Sequence, residues 1–159
     1  MRLWHKDLIP FLPRQQLVSQ WRECCAIAKN LKNNGTPNHI LVNRILLFPT
    51  EHFYYYTKLV VNEMTDRGFH VDGKTWKYFV RNLYSYTMNR LGCQEDPDKG
   101  EPGHIMHYFD QFSVPYSKIF VDWHTQRYLA QCLFNLEEKF DCGGIPIEEW
   151  NKIYKMFYI

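Results

Sequence analysis

The sequence contains no long uninterrupted apolar segment. No run approaches the roughly 18 residues that a membrane span needs, and the opening residues, MRLWHKDLIPFLP, lack the apolar core of a signal peptide. We therefore expect a soluble, cytoplasmic protein with no membrane partner. No CxxC pair occurs either, and we expect reduced thiols at Cys24, Cys25, Cys93, Cys132 and Cys142.

A strong net charge is also missing, since the formal value is only +2. The charges are nevertheless unevenly distributed. Residues 1–94 contain 13 Lys or Arg against six Asp or Glu, whereas residues 95–159 contain six against 11. Such an asymmetry indicates a basic face able to bind a polyanion. A solvated mosaic of charges without a ligand is the alternative interpretation.

No strand pattern or internal repeat is visible in the sequence. A chain of 159 residues with 45% hydrophobic content fits one domain with a substantial core. We therefore predict a single all-α domain over residues 1–159, with about four to five helices. Pro10 and Pro13 predict that the chain before the first helix is an extended arm with at most a short turn.

Apolar periodicity and capping residues locate the helices. The best pattern covers 13–31, where Leu17, Trp21, Cys24, Ala28 and Leu31 recur on one face. The other predictions are a short helix within 40–48, a helix from an N-cap at Thr50 to a stop at Gly68, one over 74–90 capped by Asp72, one from an N-cap at Asp122 to Lys139, and a last helix opening at Pro146. An exposed loop is predicted between Gly92 and Gly103.

The polar face of the first helix carries Gln16, Ser19 and Glu23, with Arg22 beside them. By spacing alone, an Arg–Glu pair on a helix is most simply surface decoration. The order of this pair with other residues along the chain carries more information. Arg2, Leu12, Gln15, Leu17, Arg22 and Glu23, followed by Arg67-Gly68-Phe69 and Leu136-Glu137-Glu138-Lys139-Phe140, resemble the phage-type pyrimidine-dimer DNA glycosylases (endonuclease V).

The resemblance implies a DNA repair glycosylase with AP-lyase activity on damaged double-stranded DNA, working without a cofactor and as a monomer. In that family the N-terminal α-amine attacks the sugar C1′ and forms an imine, assisted by a helix-borne glutamate. An α-amine suits this role because its ordinary pKa, near 8, leaves a useful neutral fraction at neutral pH. Carried over to this chain, Met1 supplies the amine, Glu23 is the catalytic carboxylate, and Arg2, Arg22 and Lys139 hold phosphates or the damaged site.

The sequence departs from the family at three places. Arg2 is too large for removal of the initiator methionine, so we expect Met1 to remain. Gln16 stands where the family has a histidine, and Ala26 where it has an arginine. The aromatic and basic C-terminal stretch of the family is only loosely echoed here.

The predicted helix over 74–90 contains no acidic residue, and its polar face offers Lys77 and Arg81 to DNA. Two other functions remain open. A non-catalytic nucleic-acid-binding protein would keep the basic faces and dispense with Met1 and Glu23. A metal-dependent hydrolase would use His104 and His107, whose spacing suits one metal ion, completed by Glu101 or His5.

Overall fold

The computed structural model describes residues 1–93 and 102–159, and every regular element within them is a helix, which confirms the all-α prediction. The α-helices are α1 (Arg14–Asn34), α2 (Thr50–Asp66), α3 (Gly73–Arg90), α4 (Pro102–His107), α5 (Gln126–Asp141) and α6 (Ile147–Phe157). Short 3-10 helices form at Lys6–Phe11, Asn43–Leu47, Phe109–Gln111 and Tyr116–Lys118. None of the described helices is long and apolar enough to cross a membrane.

The core is built around α1, which packs mainly on α3 and also on α2. Its predicted apolar stripe is buried, and Trp21 meets the rings of Trp76 and Phe79 from α3. Phe53 of α2 completes this aromatic layer with a ring contact to Phe79. Helix α1 ends at Gly35, whose φ of +70° is a left-handed conformation that glycine adopts without strain. The prediction of this first helix is therefore confirmed.

Two predicted N-caps are wrong. Thr50 lies inside α2 after Pro49, and its hydroxyl bonds to the Thr87 hydroxyl at 2.7 Å instead of capping the helix. Asp122 lies three residues before the observed N-cap, because residues 120–124 form a turn closed by the His124 N–H on the Phe120 carbonyl. The side chain of Thr125 caps α5 by accepting the Tyr128 N–H.

Other predicted boundaries are confirmed. Asp72 caps α3 by accepting the Lys74 N–H, and Gly68 follows α2 with φ of +84°. The apolar segment within 40–48 yields only a short 3-10 helix. Residues 94–101 of the predicted exposed loop, with Glu101, lie outside the described part of the chain.

The N-terminal arm has the predicted form, an irregular stretch of five residues followed by one 3-10 turn. The guanidinium of Arg67, at the end of α2, fixes that turn. It donates to the carbonyls of Leu12 at 2.7 Å, Pro10 at 3.0 Å and Ile9 at 3.4 Å. Since prolines interrupt this segment, a side chain from another helix satisfies carbonyl groups that a regular helix would pair internally.

Candidate active site at the N-terminal arm

Residues 2 and 4 of the arm are bonded to α1 through the side chain of Gln20. Gln20 is completely buried. Its Oε1 accepts the Trp4 N–H at 2.8 Å, and its Nε2 donates to the Arg2 carbonyl at 2.9 Å. These two bonds together assign the orientation of the amide group. The Gln20 side chain therefore fixes the backbone of the arm to α1 at residues 2 and 4.

Two buried tyrosines hold the arm from other helices. The hydroxyl of Tyr56, on α2, donates to the Trp4 carbonyl at 2.6 Å, and that of Tyr128, on α5, donates to the Leu3 carbonyl. Burial raises the pKa of both phenols far above the ordinary value of 10. Both hydroxyls consequently stay protonated and remain hydrogen-bond donors throughout the neutral range.

These contacts bring the beginning of the chain to Glu23. The backbone N–H of Arg2 donates to Glu23 Oε2 at 3.1 Å. Three backbone bonds separate this nitrogen from the α-amine of Met1, so the amine lies within about 7 Å of the carboxylate oxygen. Met1 is 39% exposed, and Glu23 is half-buried. The first residue of the chain is thus held near the Glu23 carboxylate.

Glu23 opens onto a cleft of about 400 Å³ between α1 and the end of α5, a volume typical of small-molecule sites. The exposed Lys139 lies in the same cleft. The cleft is lined by Trp4, Gln15, Gln16, Ser19, Glu23, Lys139, Cys142 and Gly144. One carboxylate and one ammonium group therefore face the same space, on residues 116 positions apart in the sequence.

A second cleft, of about 430 Å³, adjoins the first and shares Gln15, Gln16, Ser19 and Gly144 with it. Arg22 and Arg14 line this second cleft. Arg14 also begins α1, and its backbone N–H donates to the carboxylate of Glu149 on α6. The two clefts form one continuous surface along the polar face of α1, with the cations distributed around it.

Gln16 lies on the wall common to both clefts. Its Oε1 atom is buried and has no hydrogen-bond partner among the described residues. An unpaired buried amide oxygen costs free energy, roughly 1–3 kcal/mol.

The end of α5 positions Lys139 by a left-handed turn. Gly143 adopts φ of +79°, and the Gly144 N–H returns to the Lys139 carbonyl at 2.8 Å. A Cβ at position 144 would lie 3.1 Å from that carbonyl oxygen. The two consecutive glycines therefore let the chain turn sharply beside Lys139, and Gly144 lines both clefts.

The remaining predicted DNA-binding residues lie elsewhere. The Arg2 guanidinium packs 5.6 Å from the centre of the Trp4 ring and 3.9 Å from Cys132 Sγ. Lys77 and Arg81 are exposed on α3 and line neither cleft. The structure thus brings together Met1, Glu23, Arg22 and Lys139, and leaves the α3 cations on a separate surface.

The predicted metal ligands that the structure describes, His5, His104 and His107, form no common site. His5 is buried, where its Nδ1 accepts the Asp7 N–H and its Nε2 donates to the His124 carbonyl. His104 and His107 are exposed, and His107 pairs with Asp110 at 3.0 Å. In the chain as described, no group of three His, Cys, Asp or Glu side chains could hold a metal ion.

Sequence reasoning missed Gln20, Tyr56 and Tyr128 as the residues that hold the arm. One signal was available for Gln20, because it is a polar residue three positions from Leu17 and four from Cys24, within the apolar face of α1. The two tyrosines gave no such signal, since aromatic residues on buried faces are ordinary core residues.

An all-α chain with its N-terminal arm bonded to a helix carboxylate, beside a cleft with cations around it, has the arrangement that the resemblance to DNA glycosylases implies. The family model described as pyrimidine dimer DNA glycosylase matches residues 1–87, more than half of the chain. The protein therefore belongs to the pyrimidine dimer DNA glycosylase family. No curated protein and no solved structure matches the chain. The match includes Met1, Glu23 and Gln20, whereas Lys139 lies beyond it.

Proposed function

We propose that this protein is a DNA glycosylase with AP-lyase activity that acts on pyrimidine dimers or related base damage. The observation that carries the proposal is the hydrogen bond from the Arg2 backbone to Glu23, which keeps the Met1 amine within about 7 Å of a carboxylate that lines the cleft. Family membership supplies the substrate class.

In the proposed reaction the neutral α-amine of Met1 attacks C1′ of the damaged nucleotide, the bond from C1′ to the base breaks, and the released base takes up one proton of the amine. The second amine proton passes to the ring oxygen as the C1′–O4′ bond opens, which leaves an imine between Met1 and C1′. Glu23 stabilises positive charge at the sugar and later takes a proton from C2′, so that the C3′–O bond breaks by β-elimination. Glu23 Oε2 is occupied by the Arg2 N–H, and Oε1 is the atom assigned to proton transfer.

The cations have separate roles in this proposal. Lys139 and Arg22, which face the two adjoining clefts, bind the phosphates that flank the damaged nucleotide. Lys77 and Arg81 supply additional, sequence-independent contacts to the duplex from α3. Arg2 lies next to the terminus, and its guanidinium packs against Trp4 and Cys132.

Borohydride trapping tests the proposal, since borohydride reduces an imine to a stable amine. With duplex DNA that contains an abasic site or a pyrimidine dimer, we expect a covalent adduct on the α-amine of Met1, located by peptide mapping. A short N-terminal extension should abolish the adduct. Lys139→Arg is the matched control, because it keeps the charge in the cleft but removes the competing amine, and it should still be trapped.

Three results would contradict the assignment. Salt-sensitive DNA binding without an adduct on either substrate would favour the non-catalytic binding protein. An adduct on a lysine would retain imine chemistry but exclude Met1 as its nucleophile. An adduct on the α-amine of Arg2, in a chain that has lost Met1, would also exclude Met1 as the nucleophile.

A further inference from the structure

We propose that Gln20 is a positioning residue for the reaction, acting through the backbone of the N-terminal arm rather than on the substrate. The inference rests on the proposed function, since it concerns where the Met1 amine is held. Gln20 and Glu23 are three residues apart on α1 and therefore project from neighbouring turns of the helix.

The two side chains hold the same residue. Glu23 accepts the N–H of Arg2, and Gln20 donates to the carbonyl of Arg2. Both backbone groups of residue 2 are thereby fixed to one rigid helix. Since Met1 is joined directly to this residue, its amine can rotate about only a few bonds before it leaves the carboxylate.

Gln20 also links the arm to a second helix. Its Oε1 accepts the Trp4 N–H and lies 3.1 Å from the hydroxyl of Tyr56, which bonds to the Trp4 carbonyl. Tyr128 holds Leu3 from α5. Residue 2 thus bonds to α1, residue 4 to α1 and α2, and residue 3 to α5. Successive residues bond on opposite sides, as expected of extended backbone. Removal of Gln20 breaks the arm's bonds to this side chain and leaves its bonds to Glu23, Tyr56 and Tyr128.

A loosened arm should slow imine formation more than DNA binding. The cationic residues proposed to bind phosphates lie on α1, α3 and α5 and do not depend on the arm. Productive attack, by contrast, needs the amine within a narrow range of positions, and a displacement of about 1 Å can reduce a rate by about 100-fold. Gln20→Met, which keeps the length of the side chain and removes its hydrogen bonds, isolates this effect.

The experiment measures borohydride trapping as a function of DNA concentration, below the unfolding temperature of every variant. For Gln20→Met we expect the rate at saturating DNA to fall by at least about tenfold, with the half-saturating concentration within twofold of wild type. Tyr128→Phe, which removes the arm's bond to α5, should likewise lower the rate at saturating DNA and leave the half-saturating concentration within twofold of wild type. Phe79→Leu, which weakens core packing but removes none of the arm's hydrogen bonds, should leave the saturated rate unchanged.

Digestion of the N-terminus by an aminopeptidase provides a second readout that needs no DNA. Gln20→Met should release Met1 at least about tenfold faster than wild type, and Phe79→Leu should not. If wild type forms no adduct while Gln20→Met is digested faster, the proposed function fails and the anchoring stands. Equal trapping and digestion in Gln20→Met and wild type, or equal effects of Gln20→Met and Phe79→Leu, would overturn the inference.

Discussion

Acid should destabilise this fold chiefly through one buried histidine, His124. Its side chain is 6% exposed, its Nδ1 accepts the N–H of Lys6 at 3.0 Å, and its Nε2 has no partner among the described residues. The rings of His5, Tyr56 and Tyr128 pack around it. Burial, together with repulsion from His5 and Lys6, lowers the pKa of His124 to about 2.

The direction follows from proton uptake by the two states. In the unfolded chain an imidazole titrates near pH 6.5. Below that pH the unfolded state binds a proton that the folded state does not, so the free energy of unfolding falls as the pH falls. For one such group the loss between about pH 7.5 and about pH 5 is about 2 kcal/mol. Burial also lowers the pKa values of His5 and His52, which act in the same direction.

Urea denaturation at several pH values within this window measures the effect. We expect wild type to lose at least about 2 kcal/mol between the two ends. His124→Asn keeps an acceptor for the Lys6 N–H but cannot titrate, so most of the pH dependence should disappear. His70→Asn, at an exposed position, should retain it. An unchanged pH dependence in His124→Asn would show that His124 does not control acid stability.

Three further predictions concern the catalytic carboxylate, the α3 surface and the turn after α5. Glu23→Gln keeps an acceptor for the Arg2 N–H, so thermal stability and DNA affinity should be retained while the strand-cleavage rate falls by about 10²- to 10⁴-fold. Cleavage at the wild-type rate would exclude a catalytic role for Glu23. Lys77→Glu with Arg81→Glu should weaken binding to damaged and undamaged duplexes alike and reduce the salt slope by about 2, and unchanged titrations would exclude this surface. Gly143→Ala places a side chain on a residue with φ of +79° and should lower the free energy of unfolding by about 1–2 kcal/mol, measured by urea denaturation. Gly73→Ala, at the start of α3 with open space around it, should not lower it. Equal losses would contradict the role given to the left-handed turn.

The elements that the sequence predicts best are those decided by local chemistry. The stripe of α1, the glycine after α2 and the Asp72 cap each depend on residues within a few positions of one another. The failures at Thr50 and Asp122 have tertiary causes. The hydroxyl of Thr50 finds a better partner on α3 in Thr87. The chain before α5 is held by distant residues, because the Lys6 N–H donates to His124 Nδ1 and the Phe120 N–H to His52 Nδ1.

The roles of the candidate site residues stay predictions, and the way in which the arm is held could not be predicted from the sequence. Glu23, Arg22 and Lys139 were selected by resemblance, and the structure places them on one continuous surface. Nothing local indicates that Gln20 bonds to residues 2 and 4, or that Tyr128 reaches Leu3 across 125 positions of sequence. Such pairings depend on the relative placement of helices, which helical periodicity does not encode.

The hydrogen bond from Tyr128 to Leu3 has a consequence for biosynthesis. The first residues of the chain emerge from the ribosome long before α5 has been made, and the arm has only part of its partners until residue 128 is available. The arm therefore reaches its final position only after residue 128 has been made, 125 positions later than Leu3.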